Sequence, residues 1–194
     1  TRKRAYVGKI ADAGQRVPSM ADETERDKCL VNVKNGYRGL TTGKVAGHDP
    51  GRLMTKLVPV EYDPKAACPV WENFLDTVFA GDADLIRYVQ KAVGYSLTGD
   101  TSEQCVFFLY GTGSNGKSTF LSTIRQVFGD YAANVQPETL MVKPSSSGGA
   151  NSDIARLKSA RFVTSTEPNE GMRLNEGLIK QLSGEDSVTA RKLY

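Results

Sequence analysis

Histidine is almost missing from this sequence: among 194 residues only His48 is one. It stands in a Gly-His-Asp-Pro run, a turn-forming context in which a solvated imidazole is expected rather than a ligand or base. Histidine-based catalysis therefore has no foundation here. Cysteine is nearly as scarce. Cys29, Cys68 and Cys105 are odd in number, far apart and without a C-x-x-C pair, which argues against a disulfide framework or a zinc site and fits a reducing compartment, the cytoplasm. No apolar run approaches the roughly 20 residues of a membrane-spanning helix, so no membrane partner is expected. Nor does a continuous apolar stretch follow the basic start at Arg2, Lys3 and Arg4, as a secretory leader would require.

What remains is the composition of a folded chain, 39% hydrophobic and 24% charged. The net charge of +3 is small but uneven, with ten basic and six acidic side chains in residues 1–50. Such an excess makes either a modest patch for nucleic-acid phosphates or an ordinary solvated terminus. The length suits a small accessory domain followed by a larger one. Because the chain begins at Thr1, it reads as a piece of a longer protein.

The most informative stretch is residues 111–118, Gly-Thr-Gly-Ser-Asn-Gly-Lys-Ser, a complete G-x-x-x-x-G-K-[ST] phosphate loop. A chance match in a chain this long has odds on the order of one in a hundred. A triphosphate needs many donors converging on charged oxygens. Gly111, Gly113 and Gly116 let backbone N–H groups approach them, and a following helix adds its positive end. The expected nucleotide contacts are Gly111, Thr112, Gly113, Ser114, Asn115, Gly116, Lys117, Ser118 and Thr119. Lys117 reaches the β and γ phosphates of ATP, and the Ser118 hydroxyl ligates Mg²⁺.

Context supports the motif. Residues 105–110, Cys-Val-Phe-Phe-Leu-Tyr, read as a buried parallel strand. Phe120, Leu121, Ile124, Val127 and Phe128 follow at helical spacing, and Gly129 supplies a stop. Upstream, residues 30–34 and 37–40 read as strands around an Asn35-Gly36 turn, with a second turn at Thr42-Gly43 and an extended piece over 53–61. Trp71, Phe74, Leu75, Val78 and Phe79 form one face of a helix ended by Gly81, and their spacing favours core packing over base stacking. A second helix is expected over 82–95, burying Leu85, Val89 and Val93. Residues 143–150 read as a Ser/Gly-rich connection, 152–158 as a short helix, and 161–166 as a second core strand.

That strand runs into Glu167, where a carboxylate beside a phosphate loop can orient Mg²⁺ through water and polarise the attacking water. Glu170 is near enough in sequence to share the role. Lys117, Glu167 and Glu170 are thus the expected catalytic residues, with Ser118 and Glu167 at the metal.

With these motifs in order, the chain resembles the superfamily 3 helicases, and within them the primase-helicases of phages, plasmids and large DNA viruses, poxvirus-type proteins included. The resemblance is carried by residues 111–118, then 167–171, 173–176, 178–180, 182–186 and 189–191. Upstream, residues 32–36, 57–63 and 94–100 are similar to the small domain that precedes the ATPase in these proteins. The resemblance implies an α/β P-loop NTPase fold, an AAA+-like parallel-sheet core incomplete at the C-terminus. A small, mainly helical domain with a short β-hairpin precedes it. The implied division is an N-terminal segment at 1–30, an accessory domain at 31–99 and a partial ATPase core at 100–194. It also implies a ring, commonly a hexamer, that hydrolyses ATP between subunits and draws DNA, a single strand or fork, through its centre. A primase module or other replication proteins would be partners, in the host cytoplasm for a phage or virus. Lys180, Arg191 and Lys192 match the family's channel-facing region, where cations follow a phosphate backbone without reading sequence.

The sequence departs from that pattern in places. The family's polar sensor and arginine finger do not appear before Tyr194, so the chain reads as a truncated motor, weak or inactive alone. Ser183 and Glu185 stand where relatives often have threonine and glycine. Two other functions fit a phosphate loop: a small-molecule kinase, against which the absence of arginine in residues 144–150 counts, and a nucleotide-dependent assembly or loading module that does not unwind DNA.

Overall fold

The structure, a computed structural model, describes residues 28–142, 152–166, 171–184, 188 and 190. Strands β1 (Leu30–Val33) and β2 (Gly36–Gly39) form an antiparallel hairpin, and β3 (Val45–Ala46) pairs along β2. Val33 pairs with Gly36, so the turn is Lys34-Asn35, one residue earlier than the Asn-Gly pattern suggests. The two residues have other uses. A Cβ on Gly36 would run into the Ala46 carbonyl, and the Asn35 amide accepts from the Tyr62 N–H and donates to the Tyr62 carbonyl, each at 2.9 Å. The extended piece over 53–61 makes a single parallel bridge, Val33 with Val58.

Helix α1 (Pro69–Val78) begins on a proline, whose missing N–H costs nothing in a first turn, and the left-handed residues Ala80 and Gly81 follow it. Helix α2 (Ala83–Thr98) is capped by the Asp82 carboxylate accepting the Leu85 N–H at 2.9 Å and closed by left-handed Gly99. It runs one turn beyond the expected end. Leu85 is exposed, and the inward stripe is Val89, Val93 and Leu97 at i, i+4 and i+8. Helix α3 (Lys117–Phe128) buries Phe120, Ile124 and Phe128, while Val127 faces outward.

A 3-10 turn (Gly129–Tyr131) leads into β4 (Ala132–Val135), a strand that the sequence did not announce. It pairs in parallel with β5 (Phe162–Ser165), in register from Ala132 with Phe162 to Val135 with Ser165. The short helix α4 (Ser152–Ala155) precedes β5, and α5 (Glu176–Ser183) follows, capped by Asn175 accepting the Leu178 N–H at 3.1 Å.

The expected strand at 105–110 does not form. Among the described residues they pair with no strand, and Val106, Phe107, Phe108, Leu109 and Tyr110 are exposed, Tyr110 at 93%. Apolar composition fits a buried central strand only where ladders flank it and helices cover both faces. Here the parallel sheet consists of β4 and β5, and neither edge holds this segment. The described residues are therefore mixed α/β, with one antiparallel and one parallel sheet among them.

One hydrophobic cluster joins the hairpin to α3: Val31, Val33 and Val58 pack with Phe120, Ile124, Phe128 and Tyr131. Trp71 stacks on Phe74 at 5.2 Å and on Phe120 at 5.6 Å, so the aromatic stripe of α1 is core.

Candidate phosphate-binding loop

Residues 111–116 form a series of bends leading into α3, and Gly116, left-handed at φ 82°, is the residue before the first helical turn. The first turn of a helix has N–H groups with no acceptor inside the helix. Here those are Lys117, Ser118 and Thr119; the Phe120 N–H is the one that bonds back, to the Gly116 carbonyl at 2.9 Å. Ser118 and Thr119 are exposed. The open, positively polarised end of α3 is thus presented to an anion.

The Lys117 side chain curls back over the loop. Its Nζ donates to the Asn115 Oδ1 at 2.8 Å and the Gly111 carbonyl at 3.0 Å, with the Thr112 carbonyl at 3.5 Å. Glycine is required around this ammonium. A Cβ on Gly111 (φ 146°) would meet the Asn115 amide, whereas Gly113 has open space around it. Sequence reasoning placed Asn115 among the phosphate contacts but had no signal for its grip on Lys117, which depends on how the loop folds.

Gly116 shows a second long-range constraint. A Cβ there would lie 2.5 Å from Val78 Cγ1 and 3.3 Å from the Phe74 ring, so α1 presses directly on the loop. Gly116→Ala is expected to cost about 2–4 kcal/mol, combining a left-handed residue with overpacking. Urea denaturation of parent and variant checks this, and Gly113→Ala should cost distinctly less.

The turn ahead of the exposed apolar segment is tied locally. The Ser102 hydroxyl and N–H both donate to Asp100, and with help from Lys28 they hold its carboxyl below its ordinary value. This contribution is present above the usual carboxylate range and is lost as pH falls through the lowered value.

The direction of β5 matters for the candidate carboxylates. Helix α3 runs away from the loop, and after a three-residue 3-10 turn β4 lies beside the helix, with Ala132, Ala133 and Asn134 near Ser122, Arg125 and Gln126. β5 is parallel to β4 and starts at Phe162, whose ring lies 5.3 Å from that of Phe128 at the far end of α3. Its C-terminal residue, Ser165, is therefore directed toward the loop end. Glu167 and Glu170 lie outside the described residues, as do Arg191, Lys192 and the connection at 143–150. Lys180 is exposed in the last turn of α5. None of the described helices is long and apolar enough to cross a membrane.

Comparison with known proteins adds to this geometry. Residues 1–80 match a family model described as D5 N terminal like. A protein of Acanthamoeba polyphaga mimivirus that carries a provisional helicase name is 26% identical over 199 residues, covering 100% of this chain and 20% of that protein. A provisionally named helicase of Frog virus 3 is 32% identical over 122 residues, 62% of this chain and 12% of that protein. A provisionally named primase of African swine fever virus is 26% identical over 174 residues, 84% of this chain and 18% of that protein. The chain is similar to helicases and primases of large DNA viruses. It spans a fifth or less of the length of these relatives.

Proposed function

We propose that this chain binds ATP with Mg²⁺ at residues 111–118 and is the ATPase portion of a superfamily 3 DNA helicase within a replication primase-helicase. The observation that carries the reading is the Lys117 ammonium, held over the open N-terminus of α3 by carbonyl and amide oxygens. The loop fits the group, since a Cβ on Gly111 would press on Asn115 and reach Lys117 where the phosphates would lie. The first-turn N–H groups of α3 would bind phosphate oxygens, Lys117 would exchange its loop acceptors for the β and γ phosphates, and the Ser118 hydroxyl would help hold the metal. Mg²⁺, when bound, neutralises charge building on the phosphate oxygens. Glu167, two residues past the loop-directed end of β5, orients the attacking water, with Glu170 beside it in sequence. Lys180, Arg191 and Lys192 contact the DNA backbone in a ring of subunits, a hexamer as in the family the sequence resembles. The names of the viral relatives support the replication setting.

The test separates binding from hydrolysis. Glu167→Gln should leave Mg-ATP affinity within about threefold while lowering single-turnover hydrolysis about a hundredfold, the scale of a lost general base. Loss in Glu170→Gln instead would move the role to Glu170. Unchanged turnover in both variants would refute the carboxylate assignment.

A further inference from the structure

Charge along this chain is sharply divided in a way that the phosphate loop does not use. Residues 28–60, the three-stranded hairpin unit and its loop, carry six basic side chains against the single carboxylate of Asp49. Residues 61–142, the helices and the phosphate loop, carry five basic against ten acidic. The hairpin unit is thus a basic stretch next to an acidic one, while residues 143–194 are mildly basic, eight cations against six carboxylates.

Its cations are displayed on a hydrogen-bonded frame. Lys34 in the β1–β2 turn and Lys44 ahead of β3 are both exposed, one at each end of β2. The length of β2 separates them by about 10 Å at ~3.3 Å per residue, a span of roughly two to three nucleotides of one strand. Between them two arginines lie near tyrosine rings on opposite faces of β2, since Tyr37 and Arg38 are consecutive strand residues. The Arg38 guanidinium is 4.1 Å from the Tyr62 ring centroid, and that of Arg52 is 5.4 Å from the Tyr37 ring. Arg38 pairs across the hairpin with the core residue Val31 and its Nε is buried without an acceptor, so it faces the core side and is not one of the surface cations. The one carboxylate in the unit is occupied, accepting the Gly51 N–H at 2.9 Å and lying 3.7 Å from Arg52. Glu61 and Asp63 follow close to the Lys34 end, and Asp63 is tied to the Lys65 N–H.

We infer that the β1–β3 hairpin unit is a nucleic-acid-binding surface of its own, which holds the phosphodiester backbone of a single strand through the exposed Lys34 and Lys44, with Arg52 on the outer, Tyr37 face of β2. It is separate from the contacts proposed at Lys180, Arg191 and Lys192. The inference rests on the replication reading for its partner but not on ATP hydrolysis.

Fluorescence anisotropy of the nucleotide-free chain in EDTA, with a labelled twenty-nucleotide oligothymidine over a salt titration, tests it without engaging the phosphate loop. The parent should bind at low salt. Lys34→Gln with Lys44→Gln should weaken binding about tenfold and shallow the log–log salt slope by about 1.4, roughly 0.7 per lost phosphate contact on a single strand. Lys34→Arg with Lys44→Arg should retain binding, and Lys65→Gln with Lys91→Gln, on the acidic part, should match the parent. Circular dichroism melting of each variant identifies unfolding as a cause of lost binding. No binding by the parent, or a Gln pair within twofold of it at every salt concentration, overturns the inference. Tighter binding to duplex than to oligothymidine overturns the single-strand assignment. Loss of ATP turnover with oligothymidine binding intact would count against the ATPase alone.

Discussion

Lys117→Ala should abolish useful nucleotide binding, with Mg-ATP affinity falling about a hundredfold or more and hydrolysis becoming undetectable. In the proposed site the ammonium would supply charge-assisted hydrogen bonds where phosphate charge is concentrated, and one such preorganised donor is commonly worth a factor of about 10² to 10³. Stability should change little. Lys117 is only half-buried, and its partners, Asn115 Oδ1 and the loop carbonyls, lie on an exposed loop where water can replace it. Binding titration and thermal melting of the same protein separate the two effects. A variant that melts like the parent but still binds Mg-ATP within threefold would remove Lys117 from the site.

The largest loss of stability is expected at Tyr131, whose side chain is 0% exposed. Its hydroxyl accepts the Asn32 N–H at 3.2 Å, and its carbonyl accepts the Arg161 N–H at 2.7 Å. The Arg161 guanidinium lies 4.6 Å from the ring centroid and donates from Nη1 to the carbonyls of Leu30 at 2.9 Å and Leu97 at 3.0 Å. Tyr131 therefore sits where β1, the end of α2 and the start of β5 are fastened together. Tyr131→Ala should cost about 3–5 kcal/mol, the range for deleting a buried aromatic ring, and lower the melting temperature by roughly 6–20 °C. Tyr131→Phe keeps the ring and should cost only about 1–3 kcal/mol, for one part-buried N–H left without its acceptor. If both variants melt together, the hydroxyl rather than the ring is the fastening element.

What the sequence made legible follows from how local each feature is. α1, α2 and α3 carry apolar residues at helical spacing, and glycines or proline mark their ends, so their existence needed no tertiary knowledge. Their exact faces did: Leu85 and Val127 fit the pattern, yet both point outward because the core lies to one side of each stripe. β4 was missed because Ala-Ala-Asn-Val has little strand character, and its stability comes from pairing with β5 thirty residues away. α5 was legible and overlooked, since Asn175 as a cap with Leu178, Ile179 and Leu182 beyond it is a helix-start pattern. Residues 105–110 erred the other way: apolar character alone does not make a strand where no neighbour pairs with it. At the loop, the motif named Lys117 and the glycines, but the pressure of Phe74 and Val78 on Gly116 comes from a helix some forty residues upstream.

The most direct test of the account is calorimetric titration of ATP into the chain with Mg²⁺ present, repeated with excess EDTA and with Lys117→Ala. The loop geometry predicts saturable binding of one nucleotide per chain, weakened without Mg²⁺ and lost in the variant. Absence of saturable binding by the parent, or parent and variant isotherms that superimpose, would contradict the assignment of residues 111–118 as a nucleotide site.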